Sequence, residues 1–144
     1  MKTLKELLDT PENRPRVVSA CEDLVEDELN RAKGLSGIAL RTAFAVVQAV
    51  DGSFIRKALN KLFDDFIGSL EPFWTKSDSD RLENDWRSRA PEIADALLVA
   101  ADRRIERVQN KSVKKVYAKL RPKAAGYVEN AVPGLAQIVL SFAS

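Results

Sequence analysis

The sequence predicts an all-α fold, a compact single-domain bundle of six to eight helices around a central apolar helix. Apolar residues recur at three- and four-residue spacings along nearly the whole chain, and no segment alternates as a half-buried strand would. The chain has 144 residues, of which 45% are hydrophobic and 31% charged, a globular balance at the size of one domain. We therefore expect residues 1–144 to form a single helical domain.

The first two helices are bounded by capping and proline signals. Thr3 and Glu6 have the spacing of a capping box, which predicts a short first helix that ends at the proline-interrupted segment 11–15. A second helix is expected from about Arg14 to Gly34, with an apolar stripe on one side and acidic residues on the other.

The third helix is the most apolar of the chain. It is expected to begin near Ser36, and its sequence IALRTAFAVVQAV is apolar on most sides, which is typical of a helix surrounded by others. We therefore place it at the centre of the bundle. Ser53 is expected to cap a fourth, strongly amphipathic helix that stops before Pro72.

The C-terminal half predicts several further helices. A fifth follows a polar loop and is anchored by Trp86, and a sixth starts at Pro91 and continues to about Asn110. The remaining residues divide into shorter pieces, because Pro122 and Pro133 predict breaks.

Composition excludes most catalytic chemistry. The chain has no His and a single Cys, so it lacks the commonest general base and metal ligand and cannot build a thiolate metal centre. The two glycine-rich motifs of nucleotide-binding proteins, GxxxxGK[ST] and GxGxxG, are both absent from the sequence. Cys21 lies on an apolar stripe and is expected to be an inert core thiol. We predict a protein that is not an enzyme, with no metal site, no cofactor and no small-molecule substrate identified.

Segments that would direct the chain out of the cytoplasm are not evident. Residues 1–16 carry charges every few positions, and the longest apolar stretch, residues 34–50, is interrupted by Arg41. We expect a cytoplasmic protein.

Residues 103–123 form a basic run whose charge is far from that of an average protein surface. It carries nine basic residues against Glu106 alone, so its charge is +8 in a chain of net charge +2, and the remainder is −6. On one continuous helix, its first six members would cover an arc of about 120°. A merely solvated face is the first interpretation of this pattern. The functional alternative is binding of anionic polymers, such as nucleic acid without sequence preference, or of an anionic membrane. The candidate residues are Arg103, Arg104, Arg107, Lys111, Lys114, Lys115, Lys119, Arg121 and Lys123.

An acidic patch on the second helix has the opposite character. Such a dense cluster repels itself unless a cation or a basic surface lies opposite, and the basic run could supply that surface within one chain or between chains. The candidate contact residues are Glu22, Asp23, Glu26 and Asp27.

Three functions stay open. The first is a non-catalytic interaction or structural module that binds a protein partner or a second copy of itself. The second is anion binding through the basic run. The third is a carrier of an apolar ligand, which would need a cavity between helices lined by Phe44, Phe63 and Phe66.

Residues 34–74, GLSGIALRTAFAVVQAVDGSFIRKALNKLFDDFIGSLEPFW, resemble an uncharacterised family of small all-helical bacterial proteins. The likeness lies in the order of apolar, Gly and Pro positions. It implies a helical bacterial protein and carries no assigned activity or site residues.

Overall fold

The structure is a computed structural model that describes residues 2–143. Over this part of the chain there are seven α-helices and no strand, so the prediction of an all-α single-domain bundle is confirmed. A short 3-10 turn, Ser79–Arg81, precedes the fifth helix. The helices are α1 (Leu4–Leu8), α2 (Asn13–Arg31), α3 (Gly34–Val50), α4 (Phe54–Thr75), α5 (Leu82–Ser88), α6 (Ala90–Ile105) and α7 (Lys111–Ala143).

The core forms where α1, α2, α4, α5 and α6 meet the C-terminal half of α7. Trp86 of α5 is 1% exposed and donates its indole N–H to the Phe73 carbonyl at 3.3 Å, so it anchors its helix as expected. The chain start is held by the Trp74 indole, which donates to the Lys2 carbonyl at 2.9 Å. The predicted capping box of α1 is also present, since Thr3 Oγ1 accepts from the Glu6 amide at 3.1 Å.

The predicted breaks in the last part of the chain were wrong, because α7 is one helix that runs through both prolines. Each proline lacks the N–H that would bond to the carbonyl four residues earlier, which is Ala118 for Pro122 and Glu129 for Pro133. Pro122 and Ala118 are exposed, so water can bond to that free carbonyl. Around Pro133 the helix is held by tertiary packing, since the adjacent Val132 is completely buried.

The fourth helix also differs from the prediction at both ends. Ser53 makes no side-chain cap; instead Asp51 accepts hydrogen bonds from the Ser53 amide and from Lys57 Nζ, at 2.9 and 2.7 Å. These bonds lower the pKa of Asp51 to about 2, and the bond from Lys57 has the largest effect. Pro72 does not stop α4, which continues to Thr75 because the last turn is packed into the core.

The sixth helix ends at Ile105 rather than near Asn110. Asn110 starts the next helix, because its side-chain oxygen accepts from the amides of Ser112 and Val113 at 2.9 and 3.2 Å. The basic run is therefore divided between the end of α6 and the start of α7. The single 120° arc expected on one continuous helix does not form.

The placement of α3 at the centre was also wrong, because α3 lies at the edge of the bundle. Leu35 is 86% exposed and Ile38 56%, whereas only Gly37, Leu40 and Val47 of this helix are buried. Apolar residues on most sides do not prove that neighbours surround a helix. Eight exposed, uncharged residues share one side of this helix, and we call them the outer face of α3: Leu35, Ile38, Ala39, Thr42, Ala45, Val46, Ala49 and Val50.

Within residues 2–143, no single helix is both long and apolar enough to cross a membrane. Taken together, α3 and α4 meet the length and composition requirements only as a pair bent by 95°.

Candidate functional site: an apolar cavity beneath α3

A cavity of about 270 Å³ lies between α2, α3, α6 and α7 and reaches Phe66 of α4. Fifteen of its seventeen lining residues have apolar side chains, and the two exceptions are Glu28 and Tyr127. The floor and walls come from the inward stripes of three helices. Those of α2 and α6 supply Leu24, Val25, Leu29, Leu97, Leu98 and Ala101; that of α7 supplies Leu120, Ala124, Val128, Ala131, Val132 and Leu135.

The third helix forms the roof of the cavity and contributes Leu40 and Phe44. The turn into α3 begins at Gly34, whose φ of +72° is a left-handed conformation that favours glycine. A Cβ added to Gly37 would lie 2.4 Å from the Ala32 carbonyl oxygen, so α3 approaches the end of α2 at backbone contact.

Arg41 ties the roof to α2. Its Nη1 donates to the carbonyls of Leu29 and Ala32, at 3.1 and 2.7 Å, near the C-terminal end of α2. Carbonyls at a helix C-terminus lack helical partners and carry partial negative charge, so a guanidinium there is stabilising. The roof is thus positioned by polar contacts at its start rather than by a broad apolar interface.

The cavity lining is electrostatically simple. The Glu28 carboxylate accepts from Arg31 Nη2 at 3.0 Å, and none of the basic side chains of residues 2–143 lines the cavity. An anionic group placed inside would find no positive partner and would meet the carboxylate of Glu28. Among the described lining residues, Tyr127 supplies the other side chain that can hydrogen-bond, through its phenol.

A smaller cavity of about 140 Å³ adjoins the first and shares Leu24, Val25, Phe66, Leu97 and Leu135 with it. The three predicted phenylalanines are therefore split: Phe44 and Phe66 line the larger cavity, and Phe63 and Phe66 the smaller one.

The smaller cavity also contains the thiol of the chain. Cys21 lies in its wall, and burial raises the pKa of this thiol to about 11. A thiol kept protonated among apolar side chains is a poor nucleophile, in keeping with the inert role predicted for it.

Contact between acid and base within one chain, one of the two arrangements that the sequence leaves open, does not form among the described residues. Glu22 pairs instead with Arg56 of α4, Oε1 to Nη2, at 2.8 Å, and neither it nor Asp23, Glu26 or Asp27 makes an ion pair with the basic run. The reason is placement: Glu22 faces α4, whereas Asp23 and Asp27 line a surface pocket with Asn130 and Gln137 of α7, beyond the end of the basic run.

The basic run itself is partly used in internal contacts. Arg121 donates hydrogen bonds to both carboxylate oxygens of Asp102, at 2.9 and 3.1 Å. These bonds, together with one from the Tyr117 hydroxyl, lower the pKa of the Asp102 carboxyl. Arg104 contacts Asp65 at 3.4 Å, and Lys123 Nζ contacts Ser36 Oγ at 3.1 Å. The others are exposed and make no ion pair within residues 2–143: Arg103, Arg107, Lys111, Lys114, Lys115 and Lys119.

Most of the cavity wall was missed by sequence reasoning, although one signal was present. Residues 120, 124, 127, 128, 131 and 135 recur at three- and four-residue spacings, which places them on one helix face. Breaking the chain at Pro122 and treating the pieces separately concealed that face. The alanines at 124 and 131 leave the space that larger side chains would fill.

The chain matches one protein family over nearly its whole length. A family model described as a family of unknown function (DUF6918) matches residues 4–143, nearly the whole chain. The resemblance to an uncharacterised family is thereby confirmed. No curated protein and no solved structure matches the chain.

Proposed function

The chain belongs to the family of unknown function DUF6918, and we propose that it binds an uncharged apolar ligand in the cavity between α2, α3, α6 and α7. The observation that carries the proposal is the cavity itself. The cavity is partly open to solvent, and a concave, mostly apolar space of about 270 Å³ with a few polar side chains is the usual form of a small-ligand site.

The size of the cavity suggests the size of the ligand. A dry apolar cavity of about 150 Å³ accepts benzene. By that ratio, 270 Å³ suits a chain or fused ring of about ten carbon atoms. The adjoining cavity of 140 Å³ could lengthen the site if Phe66 rotates, since this side chain lines both spaces.

The lining determines the chemical class. Without a basic side chain, the cavity offers nothing to a carboxylate or phosphate, and the nearby Glu28 carboxylate opposes either. A hydroxyl group could hydrogen-bond to the Tyr127 phenol. We therefore favour a hydrocarbon or a long-chain alcohol over a fatty-acid anion, and a carrier or sensor role over catalysis.

The test compares decanol with decanoate as ligands of the purified protein. Because a ligand that binds only the folded state adds RT ln(1 + [L]/Kd) to its stability, decanol at about one hundred times Kd should stabilise it by about 2.7 kcal/mol. Decanoate should bind at least tenfold more weakly. Thermal melts and calorimetric titration measure both values.

Two variants locate the binding. Ala124→Phe places a ring inside the cavity and should abolish the decanol effect, whereas Ala118→Phe, on the exposed side of the same helix, should keep it. Unchanged decanol binding by a folded Ala124→Phe protein would place the ligand elsewhere. No stabilisation of the wild type by either compound would remove the carrier function.

A further inference from the structure

The outer face of α3 is a surface that the bundle leaves uncovered. At 100° per residue its eight members fall within an arc of about 140°, on the side of α3 away from the cavity. Leu35, Ile38, Val46 and Val50 are 86, 56, 47 and 56% exposed. Charged residues make up 31% of the chain, so a surface of eight average residues would carry about two or three charges, and this one carries none.

Basic side chains surround the beginning of this face. Lys33 precedes the helix and is exposed, Arg41 lies beside the arc, and Lys123 of α7 reaches Ser36 of the first turn. At the other end, the acidic Asp51 is paired with Lys57 at 2.7 Å. None of the three cations at the beginning of the face forms an ion pair within residues 2–143, although Arg41 donates to the Leu29 and Ala32 carbonyls. The apolar face is therefore bordered by positive charge at its beginning.

A second copy of the chain fits this face poorly. A helix of 17 residues is about 25 Å long and about 10 Å wide, so the face covers about 250 Å². A stable protein interface buries about 800 Å² on each partner. The uncharged face alone is thus smaller than the interface that a stable dimer needs.

We infer that the outer face of α3 docks on an anionic lipid surface. An apolar helix face bordered by Lys and Arg is the arrangement that lies in the headgroup region, with its apolar side chains among the acyl chains and its cations at the phosphates. At about 25 Å, α3 is shorter than the roughly 30 Å hydrocarbon layer, so it lies along the surface. The inference rests on the face and its border, and it does not require the cavity to hold a ligand.

The apolar part of the inference is tested with vesicles of phosphatidylcholine containing phosphatidylglycerol. The wild type should co-sediment with them, and Ile38→Glu combined with Val46→Glu should weaken binding at least tenfold. Val99→Glu is the matched control, because Val99 is an exposed apolar residue of α6 at 37% exposure and should leave binding unchanged. All three substituted side chains are exposed, so melting curves should show folded proteins.

The electrostatic part is tested on α7. One lysine near an anionic surface contributes about fivefold in binding, so Lys123→Gln should weaken binding by about that factor. Lys76→Gln is the control: this exposed lysine follows the end of α4, about 30 Å from the turn that joins α4 to α3, and the substitution should change binding less than twofold. Pure phosphatidylcholine vesicles and raised salt should both weaken wild-type binding.

Three results would overturn the inference. The first is no wild-type binding to anionic vesicles at low salt, and the second is undiminished binding by the double glutamate variant. The third is a wild-type dimer in light scattering that the double glutamate variant converts to a monomer, because a second copy would then cover the face.

Discussion

Cys21 shows how one buried group makes stability depend on pH. Its pKa is raised from 9.0 to about 11 by burial, so the folded protein favours the protonated thiol. A group whose pKa is higher in the folded state stabilises it fully below the unfolded value, and the contribution is lost as the pH rises through the folded value. The window for Cys21 therefore lies between about pH 9 and pH 11.

We predict that the wild type loses up to about 2.7 kcal/mol of unfolding free energy across this window relative to Cys21→Ala. The measurement is a pair of denaturant melts for each protein, at neutral pH and near pH 11. The comparison with the variant removes the contribution of lysines and tyrosines that titrate in the same range. Parallel pH profiles for the two proteins would mean that the thiol is not desolvated.

At the scale of helices, the start of α3 depends on the missing side chain of Gly37. A Cβ there would lie 2.4 Å from the backbone oxygen of Ala32, which cannot move like a flexible side chain. Gly37→Ala should therefore displace α3 and destabilise the fold by about 1–3 kcal/mol, as overpacking does. The displaced roof should also weaken decanol binding, because Leu40 and Phe44 would shift.

The control for this prediction is Gly68→Ala in α4. A Cβ at Gly68 meets nothing within 4 Å, so alanine there should be neutral or stabilise by up to about 1 kcal/mol through its higher helix propensity. Denaturant melts measure both variants. Equal effects of the two substitutions would show that the close approach to Ala32 does not limit the position of α3.

Features of the helices that are set by nearby residues could be predicted from the sequence, whereas features set by tertiary packing could not. The Thr3 and Glu6 box and the apolar face of α4, which buries Phe63, Ile67 and Leu70, are local patterns, and both are confirmed. The continuity of α7 through Pro133 is set by tertiary packing around the buried Val132, which no local pattern contains. The same holds for the edge position of α3.

At the scale of the whole molecule, the cavity could be predicted only as a possibility. The helical interior and the involvement of Phe44 and Phe66 followed from amphipathic spacing. The cavity, however, depends on the distances between helices that lie far apart in the sequence, from Leu24 to Leu135. Alanines such as Ala124 are compatible with close packing as well as with empty space.

The C-terminal half of α7 connects the whole bundle, because it packs against helices from both halves of the chain. Val132, Ala136 and Val139 are 0, 0 and 1% exposed, so this segment docks within its own chain. Truncation after Ala131 removes these residues together with Leu135 and Ile138, a loss of about 5–10 kcal/mol of apolar burial. That equals most of the net stability of a small domain, so the truncated chain should be unfolded by circular dichroism.

A matched pair of single substitutions checks that the loss comes from burial rather than from helix length. Ala136→Glu places a charge at a completely buried position and should unfold the protein, whereas Ser141→Glu, exposed in the same helix, should leave the melting temperature nearly unchanged. A folded truncated protein, or a folded Ala136→Glu variant with an unchanged melting temperature, would show that the bundle does not depend on this segment. The first six helices would then have to bury their apolar faces without it, which the contacts of Leu4, Val18 and Trp86 in the shared core oppose.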